Sequence, residues 1–417
     1  MTVLTPNRVS NRWISLFALA WVGIWMAQLA PFQLSLPEQI NDWLGFGDQL
    51  RQDNWQQSVT TFGTISGMSA LCALITFPVA GALSDRTGSR FGRRRPWILG
   101  GVLLFAAGLI LLGMQDTYWG LAICWCLALT GFSAASAALT AMISDQVPVA
   151  QRGVVSSWVS APQAIGTIVG IAVLSVLALG FLAGYAVLAV LLIALVAPFL
   201  WFVEDAPVPH HDRAPVTVRH LLSELWISPR EQPDFGWTLL GRILVNVGNA
   251  LGTSLLFFYL QFGLEVSDPE MSLLLLTAVY MVFVIGASVM SGVLSDRIGR
   301  RKPFVLVAGV LQGVAAVVIA VIPSLPSTMV AAALLGAGFG CFLAVDQALA
   351  TQVLPDADHY GKDLGIMNIA MAVPQALGPL LGAAIVHATS GFAGLFVASA
   401  IFGVLGGISV LQVRSVR

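Results

Sequence analysis

Apolar runs of about twenty residues or more dominate this chain and limit what it can fold into. They recur from Trp13 to Val413 with short polar breaks between them, and 57% of the 417 residues are apolar. As a helix, each run is long enough to cross a hydrocarbon core of about 30 Å. The pattern therefore predicts an integral, all-α membrane protein and excludes a soluble globular domain.

Twelve transmembrane helices are predicted, in two sets of six. The first set covers 13–36, 57–83, 96–114, 119–143, 154–178 and 181–203. The second set covers 236–261, 271–294, 303–322, 328–353, 363–386 and 391–413. We expect an N-terminal six-helix bundle in 1–203, a cytoplasmic linker in 204–235 and a C-terminal six-helix bundle in 236–417. Apolar residues at helical spacing from Val218 to Trp226 predict an amphipathic helix within the linker.

The distribution of basic residues predicts the orientation in the membrane. Of the 20 Lys and Arg residues, only Arg51 falls in a loop on the side opposite to the termini. Loops rich in Lys and Arg stay in the cytoplasm. Both termini are therefore expected to be cytoplasmic, in a plasma membrane or a bacterial inner membrane.

Two segments of the first half recur in the second half. "ALSDRTGSRFGRRRP" (82–96) returns as "VLSDRIGRRKP" (293–303), and "APQAIGTIVGIAVL" (161–174) returns as "VPQALGPLLGAAIV" (373–386). Both matches keep their place within their half, which indicates an internal duplication of six spans. Two such halves allow alternating access to a site near the midplane of the membrane.

The repeated loop resembles a known signature. "GVLSDRIGRRKP" (292–303) resembles the signature loop of the major facilitator superfamily, and "GALSDRTGSRFGRRRP" (81–96) is its longer counterpart. The longer form is similar to that of plant sucrose transporters and glycoside–cation symporters. "LAPFQ" (29–33) also resembles that subgroup, but more weakly. The resemblance implies the major facilitator fold, with two pseudo-symmetric six-helix bundles, and secondary transport of a small molecule rather than enzymatic activity.

The resemblance also implies that the two loops hold helices together in one conformation and release them in another. The residues expected to do so are Asp85, Arg86, Gly88, Asp296, Arg297 and Gly299. Helix C-termini favour nearby cations, and glycine permits a tight reversal of the chain. The alternative is that the arginines only set topology, which is also the expectation for Arg93, Arg94 and Arg95, together with contacts to membrane lipids. Pro162 and Pro374 are expected to kink spans 5 and 11.

Polar and aromatic stripes mark the candidate substrate cavity, because the family implies that spans 1, 4, 7 and 10 line it. The stripes consist of Trp21, Trp25, Gln28 and Phe32 in span 1, Ser133, Ser136 and Thr140 in span 4, and Arg242, Asn246, Asn249 and Thr253 in span 7. Aromatic rings beside amides and hydroxyls suit an uncharged, hydroxyl-rich ligand such as a sugar, or an amphipathic drug. The alternative is that these polar groups serve helix packing.

Asp346 is the strongest candidate for a functional residue within the membrane, since it is the only acid well inside a span. Arg242 lies at a similar depth in span 7. An intramembrane carboxylate is costly and usually faces a cavity with a partner. In one interpretation Asp346 binds a proton during transport, because desolvation favours its neutral form while Arg242 opposes it. In the other, the two residues form a permanent ion pair that closes the cytoplasmic side. Span 4 carries only Asp145, at the membrane edge, which argues against coupling through the N-terminal half.

Several classes of chemistry are not expected. The four cysteines lie in apolar runs and the five histidines lie in loops or at span ends, so we expect no metal site and no cofactor. The arginine-rich run lies in a turn against the headgroups, so we expect no nucleic-acid partner, and no obligate protein partner is implied.

We expect proton-coupled symport of a sugar or glycoside. The alternatives are a proton-coupled exporter of amphipathic compounds and a non-transporting receptor or lipid-handling protein of the same fold.

Overall fold

The computed structural model describes residues 8–45, 54–177, 179–205, 233–352 and 360–413, and these form twelve helical segments. The first six are α1 (Asn11–Trp43), α2 (Trp55–Arg86), α3 (Arg95–Leu112), α4 (Tyr118–Gln146), α5 (Val149–Leu177) and α6 (Phe181–Phe202). The second six are α7 (Pro233–Ser254, continued by Leu256–Gly263), α8 (Pro269–Ile298), α9 (Lys302–Val321), α10 (Leu325–Gln352), α11 (Tyr360–Thr389) and α12 (Phe392–Gln412). Each predicted span corresponds to one helical segment.

The membrane character of these helices follows from their length and composition. Judged on the described residues, nine helices are long and apolar enough to cross a membrane, and α7 with its continuation makes a tenth. A helix satisfies its own backbone hydrogen bonds, which is the condition for crossing lipid. The chain is therefore a multi-pass helical membrane protein.

Two compact units make up the chain. One contains residues 1–48 and 65–215, and the other contains residues 49–64 and 216–417. In the first unit, α1 packs on α5 and α6, and α3 packs on α4 and α6. The second unit repeats these pairings, with α7 on α11 and α12 and α9 on α10 and α12. The duplication read from the sequence is thus repeated in the packing within each unit.

The predicted linker lies largely outside the described residues, which resume at Pro233 after Asp205. Its amphipathic helix and the bounds of 204–235 stay predictions. Pro162 and Pro374 are both buried and lie inside α5 and α11, which continue through them as helix. The kinks expected there also stay predictions.

The first helix of each half is irregular in its second part. Residues Pro31–Ser35 of α1 form a π-helical turn, and Tyr259–Gly263 forms another at the end of α7. Between Ser254 and Leu256 the axis of α7 bends by 41°, and Leu255 leaves the helical region with φ −111°. The sequence predicts an unbroken span at 236–261, and it contains no proline at the bend that would have indicated otherwise. Leu255 is buried and packs on Gly382 of α11, so tertiary contact accompanies the break.

Close approach of α3 and α4 depends on small residues at their crossing. A Cβ atom built on Gly101 would lie 2.6 Å from the backbone nitrogen of Ala135 and 2.9 Å from the carbonyl oxygen of Gly131. The neighbouring Gly100 has nothing within 4 Å of the same position. Backbones this close gain van der Waals contact that larger residues would prevent.

We expect Gly101→Ala to lower the free energy of unfolding by about 1–3 kcal/mol, since the added methyl group meets backbone atoms that cannot yield. Thermal unfolding of the purified protein in detergent measures the effect. Gly100→Ala is the matched control and should be neutral or slightly stabilising, because alanine is the better helix former. Equal melting temperatures for the two variants would contradict the packing described here.

Candidate transport site

Arg242 of α7 and Asp346 of α10 form a buried ion pair in the second unit. Nη1 of Arg242 lies 2.8 Å from Oδ2 of Asp346, and the two side chains are 1% and 4% exposed. The pair lies beside a hydrophobic cluster to which α9 contributes Val305 and α12 contributes Val410. Because surrounding apolar groups solvate neither charge, each depends on the other for stabilisation.

In the rest of the α7 stripe, Asn246 and Asn249 are buried and Thr253 is half-buried, and most of their polar groups are hydrogen-bonded within the protein. Asn246 donates from Nδ2 to the carbonyl oxygen of Arg242 at 2.8 Å, while its Oδ1 has no partner among the described residues. Thr253 donates to the carbonyl oxygen of Asn249 at 2.9 Å. Asn249 donates from Nδ2 to the hydroxyl of Tyr280 in α8 at 3.0 Å. Much of this stripe therefore serves helix structure and packing.

Sequence reasoning missed Tyr280. It is one of several aromatic residues in apolar spans, and no local pattern distinguishes it. Its relevance follows from α8 lying beside α10, since the carbonyl oxygen of Tyr280 is in close approach to Gly336. The hydrogen bond to Asn249 then links α8 to the polar stripe of α7.

The aromatic stripe of α1 is assembled in the first unit as the sequence suggests. The rings of Trp21 and Trp25 stack with centroids 5.7 Å apart, and Trp25 contacts Phe132 of α4 at 5.7 Å. Nε1 of Trp21 and Oε1 of Gln28 are buried without a hydrogen-bond partner among the described residues. Phe32 is half-buried. The α1 stripe thus joins α4 through ring contacts and keeps a donor and an acceptor unused.

On α4, two aromatic residues share a helix face with Ser136, one of the two predicted serines. Ser133 and Ser136 are buried, and Oγ of Ser136 has no partner among the described residues, whereas Thr140 is exposed. Trp125 and Phe132 lie seven residues apart and therefore share a helix face with Ser136. Nε1 of Trp125 is also buried without a partner among the described residues. Sequence reasoning missed Trp125 and Phe132 because polar residues were the signal used for α4.

The loop between α2 and α3 forms an ion-pair network centred on Arg94. The prediction that Arg94 serves only membrane topology and lipid contact was therefore wrong. The Arg94 side chain is 4% exposed, with Nε 2.8 Å from Oδ2 of Asp145 at the end of α4. It also donates to Ser84 Oγ at 2.5 Å and pairs with Asp85. Arg93 reaches the other oxygen of Asp145 at 2.5 Å. Asp85 therefore takes part, with Arg94 and with Asp145 of α4, in an ion-pair network that we call the clasp, and its role in gating stays a prediction.

Charge and hydrogen bonding keep Arg94 ionised. Burial alone lowers its pKa, but the hydrogen bond and charge of Asp145, and then those of Asp85, raise the pKa above the ordinary value. Arg86, the other predicted member of this clasp, is exposed at the end of α2. The buried arginine, Arg94, bonds to both Asp85 and Asp145 and lies at the centre of the network.

The same network includes the start of α3 and the segment after α6. Oδ2 of Asp205 accepts hydrogen bonds from the backbone nitrogens of Arg94 at 2.5 Å and Arg95 at 3.0 Å, as a carboxylate does at a helix N-terminus. Gly92 adopts φ +103° beside Asp205, where a Cβ would clash with that carboxylate. A left-handed conformation in this loop therefore lies at Gly92, and the role predicted for Gly88 stays a prediction.

The matching loop of the second half is shorter. Gly299 ends α8 with φ +67° and donates its backbone nitrogen to the carbonyl oxygen of Ser295, as the prediction of a tight reversal requires. Arg297 is exposed, and the side chain of Asp296 lies outside what the structure describes. Lys302 donates to the carbonyl oxygen of Val413 after α12. In both halves, a cation near the third helix thus binds a carbonyl or carboxylate of a neighbouring element.

The described residues contain no group of three or more His, Cys, Asp or Glu side chains placed to hold a metal ion.

We expect Arg94→Gln to lower the free energy of unfolding by about 3 kcal/mol, because Asp145 and Asp85 lose their common partner. Arg90→Gln, at an exposed position of the same loop, is the matched control and should change stability little. Chemical or thermal unfolding of the two variants in the same detergent provides the comparison. A melting temperature of Arg94→Gln equal to that of the wild type would refute the clasp.

Known proteins provide a separate line of information. The chain is 29% identical over 119 residues to the MFS antiporter QDR2 of Candida albicans, which is 28% of this chain and 23% of that protein. It is 25% identical over 170 residues to the MFS antiporter QDR1 of the same organism, covering 40% and 30%. An uncharacterized symporter of Synechocystis is 48% identical over 44 residues, covering 11% and 8%. The matches thus span less than a third of the length of each relative.

Fold similarity extends over nearly the whole molecule. A crystal structure of a POT family transporter in complex with a thioalcohol-conjugated peptide superposes with a TM-score of 0.72, covers 95% of both chains and is 11% identical, which concerns the fold alone. The family model of the Major Facilitator Superfamily matches residues 11–274 and 243–416. With twelve helices among its described residues, packed in two repeated units, and a signature loop in each half, the chain belongs to the Major Facilitator Superfamily of transporters.

Proposed function

We propose that this transporter carries an uncharged, hydroxyl-rich organic solute, such as a sugar or glycoside, in symport with protons. The observation that carries the proposal is the α1–α4 face of the first unit. It combines stacked aromatic rings with buried neutral hydrogen-bonding atoms that have no partner among the described residues, on Trp21, Gln28, Trp125 and Ser136. Unpartnered buried polar atoms are costly, and a ligand that hydrogen-bonds to them removes that cost.

The chemistry of this face favours a neutral ligand. Indole N–H groups donate, the Gln28 Oε1 atom accepts and the Ser136 hydroxyl does both, so a hydroxyl-rich molecule complements all of them. The apolar faces of a sugar ring pack against Trp21 and Trp25. None of these groups carries a charge that would select an ion.

Proton coupling is assigned to the Arg242–Asp346 pair. Protonation of Asp346 neutralises the carboxylate and leaves Arg242 without its counter-charge, so the conformation that buries the pair loses stability. Protonation thereby changes the relative free energy of two conformations, and any coupled conformational change requires such a difference. The orientation with both termini in the cytoplasm of a plasma or bacterial inner membrane is part of the proposal and is supported by the basic loops.

Export of amphipathic compounds in exchange for protons is the second candidate. It is favoured by the short matches to two antiporters, while the aromatic face described above would also accept an apolar ring. The buried acid that could attract a cationic drug is Asp346, and in this structure Arg242 already neutralises it. We therefore rank symport first.

Reconstituted vesicles separate these functions. A pH gradient is imposed, and a panel of sugars, glycosides, short peptides and amphipathic cations is added while the internal pH is followed. Proton influx induced by a sugar or glycoside supports symport, whereas efflux induced by an amphipathic cation supports export. No response to the whole panel would favour a receptor or lipid-handling role.

We expect Asp346→Asn to abolish uptake driven by a pH gradient while substrate exchange across the membrane continues, because the neutral amide mimics the protonated carboxyl and cannot release a proton. Exchange of radiolabelled against unlabelled substrate measures the second activity. Asp116→Asn, in the loop between α3 and α4, is the control and should keep both activities. Loss of both activities in a folded, inserted Asp346→Asn protein would count against the assignment.

Trp21→Phe keeps an aromatic ring on the α1 face but removes the buried N–H donor. We expect affinity for the solute to fall about tenfold, which corresponds to a lost hydrogen bond of about 1–1.5 kcal/mol. Equilibrium binding to the purified protein gives the dissociation constant. Trp119→Phe, at a position 63% exposed, is the matched control and should leave affinity unchanged. Unchanged affinity in both variants would remove Trp21 from the site.

A further inference from the structure

A small crevice inside the second unit leads to the Arg242–Asp346 pair. Its volume is about 10 Å³, and its lining also comprises Trp237, Thr238, Gly241, Val305, Phe342 and Val410. Space of this size holds about one water molecule when enough polar groups face it. Among the described residues that line it, the titratable ones are the two members of the ion pair.

The polar groups of the crevice are sufficient to hold that water. Nε of Arg242 is buried and has no hydrogen-bond partner among the described residues, so it has a free donor. Thr238 donates its hydroxyl proton to the carbonyl oxygen of Asp234 at 2.9 Å, which leaves its oxygen as an acceptor. The carboxylate of Asp346 supplies further acceptor capacity. Two to four polar partners are what a buried water normally has.

One wall of the crevice reaches the surface at the beginning of α7. Trp237 is 40% exposed and lies one turn after Pro233, where the helix starts, whereas Thr238 and Asp346 are 3% exposed. The crevice therefore runs from the beginning of α7 to the ion pair. Val305 of α9 and Val410 of α12 complete the walls, and neither helix belongs to the set expected to line the substrate cavity.

The chemistry of the crevice suits a proton better than a metal cation. A hard metal cation needs several oxygen ligands, and the crevice provides the carboxylate of Asp346 and the hydroxyl of Thr238. Arg242 adds a positive charge beside them. A hydronium ion needs only a water position and a carboxylate that accepts the proton.

We propose that protons reach and leave Asp346 through this crevice, by way of a water held between Thr238 and the ion pair, and not through the substrate cavity. A proton from hydronium adds to a carboxylate oxygen of Asp346 and gives the neutral acid and water, and the reverse step returns the proton to water. The proposal rests on the proposed role of Asp346 in coupling. It assigns Thr238, Val305 and Val410 to the proton path.

The test follows hydrogen–deuterium exchange at Asp346 directly. Infrared spectra of the full-length protein in lipid bilayers are recorded at a pH where the carboxyl C=O band that is missing in Asp346→Asn is strongest, and the buffer is then exchanged for D₂O. The rate at which this band shifts reports the access of solvent protons to Asp346, whether or not a substrate is known.

Substitutions at Val305 should change this rate in opposite directions. We expect Val305→Phe, which fills the crevice, to slow the shift about tenfold, equivalent to about 1.4 kcal/mol on the barrier. Val305→Ala, which widens the crevice, should accelerate it. Val307→Phe makes the same exchange on the exposed side of α9 and should leave the rate unchanged. If Val305→Phe fails to fold, Val305→Ala and Thr238→Val, which removes the hydroxyl and should slow the shift, still decide the question.

The outcome is independent of whether Asp346 couples transport. Equal rates in wild type, Val305→Ala and Thr238→Val would overturn the proton path even if Asp346→Asn abolishes proton-driven uptake. Conversely, rates that follow the crevice while Asp346→Asn keeps proton-driven uptake would uphold the path and overturn the coupling role. A band that is absent at every accessible pH would show that Asp346 is never protonated, and it would overturn both.

Discussion

The hydrocarbon surroundings of this chain are the constraint on which the rest of its structure depends. Lipid offers no hydrogen bonds, so each span must satisfy its own backbone as a helix. Lipid also gives helices no hydrophobic reason to associate, so packing relies on close approach of small residues. Gly101 against Ala135 in the first unit is one such contact, and Gly309 against Gly403 in the second is another, with a Cβ only 2.5 Å from a carbonyl oxygen. Polar side chains in such an interior need hydrogen-bond or ion-pair partners, so the buried polar groups that the chain retains are informative.

Two groups of buried polar side chains are central to the proposed function, a neutral one in the first unit and a charged one in the second. The α1–α4 face leaves neutral donors and acceptors unused beside aromatic rings, which suits a neutral ligand. The second unit instead buries an arginine and an aspartate against each other. In the proposed mechanism, recognition of the solute and movement of a proton therefore use different side chains.

Much of the fold could be predicted from the sequence because its signals are local or repeated. Length and hydropathy locate the twelve helices, and the repeated "SDR" loops indicate the duplication and the family. The stripes on α1 and α7 and the proximity of Arg242 to Asp346 also follow from helical spacing and depth. The clasp around Arg94 does not, because Asp205 lies 111 residues away and Asp145 lies 51 residues away in the chain. Nor do Tyr280, Trp125 or the bend at Leu255, since each depends on contacts between helices that leave no local pattern.

Asp145 and Asp346 lie on α4 and α10, which are corresponding helices of the two halves, but at different depths. Asp145 is one residue from the end of its helix, whereas Asp346 is six residues from the end of α10. A difference of five residues along a helix is about 7.5 Å. Near the end of α4 the carboxylate of Asp145, 21% exposed, pairs with Arg93 and Arg94. At the deeper position a single arginine and almost no water stabilise the charge. A difference in depth of little more than one helical turn thus separates an acid that ties a loop to the end of α4 from an acid buried against a single arginine, whose charge depends almost wholly on that partner.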